Sequence, residues 1–312
     1  MTGALRRYGI QLALVGVAAV WGATFVMVKD AVARYPLYAF LGLRFAIAVV
    51  AFVAIAPSSV RMLRRPVLGV GLLAGLFLTA GYIFQTWGLQ DTSASKAAFI
   101  TGMFVVITPA LQALLLRRLP QVVTVAGVVL AVAGLWLLSG GDAAGWNIGD
   151  TRVLLCAFAY SGHLIVLGSL GRAQDVRPLT LVQLATVGVA CGAVSLASEP
   201  IALPQDASVW WALAITGVFG SAVAFAVQTY AQRTLSPSKT ALILISEPAF
   251  GGLFGWLAGE RLGVGGVAGS ALILGGMALA EVMGSRAGDG QGGFAPAIEG
   301  PPVPTGRSVD RS

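Results

Sequence analysis

Glu247 has the clearest chemical potential of any residue in this sequence. It lies inside the apolar run ILISEPAF, and Pro248 follows it directly. A charge at the centre of a bilayer costs about 2.5–3.5 kcal/mol on insertion scales, so it usually serves a function. Proline lacks an N–H and clashes with the preceding turn, which bends a helix and frees carbonyl groups. We predict that Glu247 and Pro248 bind a ligand or form a gate. A structural hydrogen bond to a neighbouring helix is the alternative, and proton coupling through Glu247 is a further hypothesis.

Arg44 is a second charge within an apolar run, LGLRFAIA. Its planar guanidinium could hold a carboxylate through two hydrogen bonds, or pair with an acid across a helix bundle. Alternatively, the side chain could extend to the nearer membrane surface, because Arg44 stands close to one end of its run. If Arg44 and Glu247 face one cavity, they could hold the two ends of a zwitterion.

Polar and aromatic residues accompany the ends of two other apolar runs. Gln85 and Gln228 each end such a run, with Tyr82, Trp87 and Tyr230 nearby in the sequence. We predict that Gln85, Gln228 and Tyr82 line a cavity or gate it, with the two glutamines at opposite mouths. Trp87 and Tyr230 suit the aromatic belt at the lipid–water interface.

Four further residues fall within apolar runs. Trp21 and Tyr160 occupy corresponding positions in the two halves of the chain, and we predict that both line the cavity. Pro109 is expected to bend its own helix. His163, the only histidine, stands two residues after Ser161. Side chains at this spacing point in different directions on a helix, so they form no nucleophile–base pair. We interpret His163 as a packing residue.

Small residues also occur in patterns with a structural meaning. Gly251, Gly255 and Gly259 stand four residues apart, and such a stripe lets helix backbones approach closely. Cys156 and Cys191 fall in apolar runs and fit buried packing positions. Because no second cysteine or histidine stands at ligand spacing from either, we predict neither a metal site nor a cofactor.

The composition indicates a membrane protein. Of the 312 residues, 57% are hydrophobic and 11% are charged, whereas soluble domains have about 45–50% and about 25%. The net charge is +7, but the basic residues stand singly or in pairs between apolar runs. Such spacing offers no row of cations for a nucleic acid. The sequence contains no GxxxxGK[ST] loop, which excludes ATP-driven pumping. Nor does it contain a cluster of acids and histidine that would support an intramembrane enzyme.

Ten apolar segments approach the roughly 20 helical residues that cross a bilayer core of about 30 Å. Short polar stretches separate the third segment from the fourth and the ninth from the tenth, so nine or eleven is the main alternative count. The predicted spans are 10–28, 37–56, 67–88, 95–116, 121–139, 151–170, 179–197, 209–229, 239–258 and 265–283.

The basic residues of the loops predict the orientation. With the N-terminus in the cytoplasm, twelve basic residues fall in inner loops and five in outer loops. This bias follows the positive-inside rule, so both termini are expected in the cytoplasm and the protein in the cell membrane. The five outer residues are Lys29, Arg34, Lys96, Arg152 and Arg261.

An internal repeat relates the two halves of the chain. The sequence QTW and a following Ser-Lys at 85–96 recur as QTY and Ser-Lys at 228–239 with identical spacing. Each half therefore holds an odd number of spans, and the second half must cross the membrane in the opposite direction. We predict an all-α integral membrane protein of two inverted five-helix repeats, at 1–140 and 141–284. The Gly/Pro-rich segment 285–312 is expected to be a disordered cytoplasmic tail.

These motifs resemble the EamA family of the drug/metabolite transporter superfamily. The resemblance rests on WGATFVMVK (21–29), QTWGLQDTSASKAAFITGMFVVITP (85–109), QTYAQRTLSPSKTALILISEP (228–248) and GERL (259–262). The first half departs from the pattern, because it has Leu-Arg-Arg-Leu at 116–119 in place of the second half's Gly-Glu-Arg-Leu. The resemblance implies ten helices around a central cavity, formed by spans one to four and six to nine.

The resemblance also implies export or uptake of small organic metabolites. We predict a secondary transporter that moves a small polar or amphipathic metabolite, such as an amino acid, outward by alternating access. A permease of the same fold that exports drugs or toxic compounds is the alternative. Proton coupling and a homodimer are both left open.

Overall fold

A computed structural model of the chain describes residues 2–115, 122–138, 145–235, 237–244 and 246–289. Within these ranges all regular elements are helical. A helix suits an apolar run in a bilayer, because all its backbone hydrogen bonds form within the segment. A short helix (Ser58–Arg61), a 3-10 turn (Gly171–Ala173) and a π-helical turn (Val218–Val223) accompany the main helices. The main helices are α1 (Thr2–Val32), α2 (Leu37–Ile55), α3 (Arg65–Leu89), α4 (Ala94–Gly102), α5 (Phe104–Leu115), α6 (Val122–Leu138), α7 (Ile148–Ser169), α8 (Val176–Ser198), α9 (Ala207–Gly217), α10 (Ala224–Ala231), α11 (Pro237–Leu244), α12 (Ser246–Leu257) and α13 (Val264–Asp289).

In the part of the chain that the structure describes, seven helical segments are long and apolar enough to cross a membrane. The chain is therefore a multi-pass, all-helical membrane protein. The other three predicted spans, 121–139, 239–258 and 265–283, coincide with α6, with α11 and α12, and with α13. The count of ten stays a prediction. The seven segments are Gly9–Val32, Leu37–Ile55, Arg65–Leu89, Ala94–Leu115, Ile148–Ser169, Val176–Ser198 and Ala207–Ala231.

Hydrogen bonds between loops define one end of the bundle, called here the first end. Arg34 donates to the Ser208 hydroxyl at 3.1 Å, and the Tyr35 hydroxyl donates to the Ala202 carbonyl at 2.6 Å. Burial, and after it the charge of Glu199, raises the pKa of the Tyr35 phenol. The phenol is therefore protonated at neutral pH and remains a donor. These bonds join the connection after α1 to the connection after α8 and to the first turn of α9.

Other loops meet at the opposite end, called here the second end. Arg177 donates to the Ser58 hydroxyl at 3.0 Å, and Arg172 donates to the Leu235 carbonyl at 3.1 Å. The connections after α2, α7 and α10 therefore lie together. The loops of the first end are ones that the charge pattern predicts outside, and the loops of the second end are ones that it predicts inside.

Helices of the first half pack mainly against helices of the second. The pairs are α2 with α8, α3 with α7 and α8, α1 and α4 with α12, and α6 with α13. Glycines allow the closest approach. A Cβ at Gly134 would lie 2.5 Å from the Gly269 carbonyl oxygen, and a Cβ at Gly276 would lie 2.6 Å from that of Gly127. Any larger residue would force α6 and α13 apart, so this pairing depends on small residues.

The glycine stripe of α12 has two functions rather than the single one predicted. Gly251 and Gly255 are buried, and a Cβ at either position would collide with Ala98 or Ser95 of α4. These two glycines bring α12 and α4 together. Gly259 instead has a φ of 94° and nothing within 4 Å of a Cβ. It follows the end of α12, where the left-handed conformation favours glycine.

Two other elements differ in detail from the sequence expectations. The predicted fourth span is interrupted at Met103, whose N–H donates to the Ile100 carbonyl, three residues earlier, at 3.1 Å. The helix therefore divides into α4 and α5. The predicted tail, 285–312, overlaps the last turn of α13, and its remainder, 290–312, lies outside the described residues.

Candidate functional site

A buried cavity lies among the helices of both halves, between α1, α2, α3, α5, α7 and α10 to α12. Its volume of about 50 Å³ holds a few water molecules. This is less than the roughly 300–1,000 Å³ of most ligand pockets. Pro109 and Pro248 do not line it. The other seven predicted site residues do: Trp21, Arg44, Tyr82, Gln85, Tyr160, Gln228 and Glu247.

Arg44 is fixed at the cavity wall by hydroxyl groups. Its Nε donates to Ser221 Oγ at 3.0 Å, and its Nη2 donates to the Tyr82 hydroxyl at 3.2 Å. The residue is 2% exposed, so it does not extend to a membrane surface. Among the described residues, no carboxylate forms an ion pair with it. Because a guanidinium has five N–H groups, three remain for a ligand.

Glu247 lines the same cavity and is 4% exposed. Its carboxylate makes neither an ion pair nor a hydrogen bond to another side chain in the described part of the chain. Pro248 is buried directly after it. The proline cannot donate to the carbonyl of Leu244, four residues earlier, and Leu244 is itself a cavity residue. Pro248 therefore shapes the wall without lining the cavity.

Gln85 and Tyr160 join α3 to α7 at the cavity. Gln85 Nε2 donates to Thr101 Oγ1 at 3.3 Å, and the Tyr160 hydroxyl donates to Gln85 Oε1 at 3.4 Å. The ring of Tyr82 packs edge-on against Tyr160, with 5.8 Å between centroids. Gly81 makes room for this contact, because a Cβ there would collide with the Tyr160 ring. Each of the three predicted residues thus contacts another of them.

Gln228 lines the same cavity as Gln85, and the placement of the two glutamines at opposite mouths stays a prediction. Gln228 Nε2 donates to Gln232 Oε1 at 3.4 Å, and Gln232 in turn donates to the Leu164 carbonyl at 3.1 Å. Gln228 Oε1 is buried without a hydrogen-bond partner. A buried acceptor left unbonded is costly, so it is available to a ligand N–H or O–H.

Trp21 is held by the π-helical turn between α9 and α10. Its Nε1 donates to the Gly220 carbonyl at 2.8 Å, and its ring lies 5.5 Å from that of Phe225. The prediction that Trp21 faces the cavity rests on the repeat alone. The partner carbonyl could not be found from sequence, because the π turn has no local sequence signal.

His163 and Phe225 also line the cavity, and the sequence reasoning assigned a cavity role to neither. His163 Nε2 is 2.7 Å from Gln183 Oε1, and its ring stands edge-on to Phe225 at 5.9 Å. The histidine therefore has a packing partner, as expected, and one edge on the cavity. Phe225 stands three residues before Gln228, a spacing that places both on one helix face. This spacing is the sequence feature from which a cavity position of Phe225 could be predicted.

Pro109 lies half-buried in α5, away from the cavity lining. The Thr108 hydroxyl beside it donates to the Phe104 carbonyl at 2.6 Å, and Ser161 of α7 donates to the same carbonyl at 3.3 Å. Phe104 lines the cavity. Pro109 itself is not part of the cavity surface, and its role in bending the helix or in gating stays a prediction.

A polar network lies near the cavity at the first end. Lys96 Nζ donates to Asp150 Oδ2 at 2.6 Å, and the Thr92 hydroxyl donates to Asp150 Oδ1 at 2.6 Å. Lys29 Nζ donates to the Thr92 carbonyl at 2.7 Å. The Asp150 side chain is fully buried. Val28, which lines the cavity, directly precedes Lys29. The ion pair and its partners are therefore linked to the cavity wall through Lys29, which follows Val28.

Further charges fix the helices around this network. Arg152 pairs with Asp91 and lies 3.9 Å from the centre of the partly exposed Trp87 ring. Glu260 of the GERL motif accepts from two N–H groups at the start of α4, at 2.7 and 2.9 Å. Glu199 does the same for α2, at 2.9 and 2.7 Å. A carboxylate at a helix N-terminus bonds free N–H groups and complements the helix dipole.

Comparison with known proteins decides the family. Residues 7–140 and residues 147–281 each match the model of the EamA-like transporter family. The chain belongs to the EamA-like transporter family. The resemblance seen in the motifs is thereby confirmed, and the two matches cover almost all of the described residues.

Relatives of the family are transporters by name. The chain is 31% identical to an uncharacterized transporter of Archaeoglobus fulgidus, over 80% of this chain and 78% of that protein. It is 26% identical to the uncharacterized inner membrane transporter YedA of Escherichia coli, over 80% and 83%. It is 27% identical to an S-adenosylmethionine/S-adenosylhomocysteine transporter of Chlamydia muridarum, over 77% and 81%.

A solved crystal structure shares the fold. It superposes with a TM-score of 0.68 at 20% identity and covers 90% of this chain and 99% of its own. Together, the family match, the named relatives and the apolar helices identify a multi-pass membrane transporter for small molecules.

Proposed function

We propose that this protein is a secondary transporter that exports a small zwitterionic metabolite, such as an amino acid, by alternating access. One observation supports this most strongly: Arg44 and Glu247 line one buried cavity and do not pair with each other. A ligand with a carboxylate and an ammonium group would satisfy both. Gln228 Oε1 offers a further acceptor.

The size of the cavity favours alternating access over a permanent pore. A volume of about 50 Å³ leaves no room for a metabolite in the described conformation. Binding therefore requires helices to separate, and the network around Asp150 would have to open at the first end. Glu247 is the proposed site of proton coupling, because it lies in the cavity and has no charged partner there.

Three observations support ten helices in two inverted repeats. The family model matches the chain twice, once in each predicted repeat. The helix pairs fit a two-fold relation, because α2 with α8, α4 with α12 and α6 with α13 would each join equivalent spans. The loops also group alternately at the first and second ends. With the positive-inside rule, the first end would face outward and both termini the cytoplasm.

Transport by the purified full-length protein in proteoliposomes tests the function. The panel should contain neutral, acidic and basic amino acids, S-adenosylmethionine, S-adenosylhomocysteine and lipophilic cations, each with and without a pH gradient. We expect counterflow of at least one zwitterion and none of its carboxamide analogue. Equal movement of both compounds would contradict carboxylate recognition.

Drug efflux is the second candidate, and the aromatic lining favours it. Trp21, Tyr82 and Phe225 form neighbouring ring contacts at 5.5 and 6.1 Å, a surface on which a flat amphipathic compound could stack. Transport of lipophilic cations, unaffected by removal of the Arg44 charge, would support this candidate in place of the first.

A further inference from the structure

The π-helical turn Val218–Val223 interrupts a helix at the cavity. A π turn holds more residues than an α turn, is rare, and occurs frequently at functional sites. Its inner residues, Gly220, Ser221 and Ala222, are buried. Ordinary α-helix continues on both sides, in α9 and α10, so the interruption is local. The π turn changes which backbone and side-chain groups of this helix can bond to α1 and α2.

The turn changes which carbonyl groups the helix uses. The N–H of Ala224 donates to the carbonyls of Phe219 and Ser221, rather than to Gly220, which an α-helix would pair with it. The Gly220 carbonyl accepts from Trp21 Nε1 at 2.8 Å instead. One cavity residue is thereby tied to the turn.

The same turn binds the cavity arginine. Arg44 Nε donates to Ser221 Oγ at 3.0 Å, and the guanidinium lies beside Gly220, where a Cβ would be 3.4 Å from Arg44 Nη2. Nη2 also donates to the Tyr82 hydroxyl. Both N–H groups of Nη1 and one of Nη2 have no partner among the described residues. The bonded Nε edge therefore faces the turn.

We propose that Ser221 is a positioning residue, which holds Arg44 so that its unbonded N–H groups meet a substrate carboxylate. The proposal rests on the proposed function and adds a specificity determinant to it. A guanidinium binds a carboxylate best through two parallel N–H groups, and a fixed Nε restricts rotation of the group about its stem. Without the serine hydroxyl, Arg44 keeps its charge and loses its fixed orientation.

The test uses full-length protein with Ser221→Ala, with Ser221→Thr to restore the hydroxyl, and with Ser270→Ala as a matched control. Ser270 is a buried serine of α13 that donates only to the Gly266 carbonyl, away from the cavity. The probes are L-phenylalanine and L-phenylalaninamide, which differ only in the carboxylate. Concentration dependence of their counterflow separates KM from the maximal rate.

We expect Ser221→Ala to raise the KM for L-phenylalanine about tenfold, since a hydrogen bond to a charged group contributes roughly that much. The maximal rate should stay unchanged, and Ser221→Thr should restore the KM. If Arg44→Met abolishes the preference for L-phenylalanine over its amide while Ser221→Ala keeps it, the positioning role is wrong and the proposed function stands. If wild type shows no preference and Arg44→Met changes nothing, the proposed carboxylate site itself is wrong.

NMR of the ligand-free protein tests the positioning role independently of the transport result. The 15N Nε–H signal of Arg44, assigned by its loss in Arg44→Lys, reports the bond to Ser221 directly. We expect its proton to exchange with water at least tenfold faster in Ser221→Ala than in Ser270→Ala. Equal exchange rates would overturn the proposal.

Discussion

Arg44 and Glu247 are a basic and an acidic group, both buried, and their separation matters as much as their presence. Removing a charge from water costs several kcal/mol unless a partner replaces the lost solvation. A direct bond between the two would leave the cavity without a recognition site. Ser221 and Tyr82 hold Arg44 in place. Because Arg44 and Glu247 do not bond to each other, Arg44 can bind the carboxylate of a zwitterion and Glu247 can bind its ammonium group.

The first prediction concerns Arg44. We expect Arg44→Met, which keeps the bulk of the side chain, to reduce counterflow of a zwitterion on the order of 100-fold, because a buried substrate carboxylate that loses its cationic partner costs about 2–5 kcal/mol. Arg34→Met is the matched control, since Arg34 is half-exposed and pairs with Asp30 outside the cavity. Equal loss in both variants would indicate a general folding defect.

The second prediction concerns Glu247. We expect Glu247→Gln to abolish the acceleration of transport by a pH gradient, because the amide cannot take up and release the proton. Exchange of substrate across both membrane faces at equal pH should persist at a reduced rate. Asp206→Asn, at an exposed position before α9, controls for the loss of one carboxylate. An unchanged pH response in Glu247→Gln would remove this residue from the coupling mechanism.

At the scale of elements, the network at the first end connects α1, α4 and α7 through one buried carboxylate. Lys96 and Asp150 form an ion pair whose side chains are 13% and 0% exposed. Breaking such a pair by removing one partner costs about 3–5 kcal/mol. The exposed pair of Arg34 and Asp30 contributes about 0–1 kcal/mol. Of these two pairs, the buried one is therefore the one strong enough to bias the position of helices.

The third prediction is that Asp150→Asn opens the cavity toward the first end. A cysteine at Val28, with Cys156→Ala and Cys191→Ala as background, reports access for a membrane-impermeant thiol reagent added outside. We expect modification about tenfold faster in Asp150→Asn, because removing a buried pair's partner costs a few kcal/mol in the closed state. Asp30→Asn, which removes the exposed pair, should leave the rate unchanged. A slower or equal rate in Asp150→Asn would contradict the expectation.

Sequence reasoning found the charged residues of the cavity and missed the elements that hold them. Arg44 and Glu247 could be predicted because a charge in an apolar run is conspicuous. The π turn at Ser221, the division of a span at Met103 and the helix caps by Glu199 and Glu260 could not. Each of these features depends on which helices pack against each other. The hydropathy of apolar runs that are similar in composition does not identify those pairs.

At the scale of the whole molecule, one cavity is built from both halves. Arg44 and Gln85 come from the first half, and Tyr160, Gln228 and Glu247 come from the second. Neither half alone contains the proposed pair of charges. One chain therefore supplies both residues of the proposed site, and the homodimer stays a prediction.

The fourth prediction concerns topology. A green fluorescent protein at the C-terminus should fluoresce, and alkaline phosphatase there should be inactive, because ten spans return the chain to the cytoplasm. Phosphatase inserted after Ala202, in the connection that follows α8, should be active. Insertion after Arg172 is the matched inner control. An active phosphatase at the C-terminus would indicate an odd number of spans.

Among the described residues, the caps formed by Glu199 and Glu260 both run from the second half to the first. Glu199 and Glu260 both belong to the second half, and each binds the start of a first-half helix. Arg117 stands where the first half would supply its counterpart of Glu260. The first half therefore depends on carboxylates of the second half to cap α2 and α4. The halves expressed as separate polypeptides should then assemble when made together, whereas the first half made alone should be the one that is degraded.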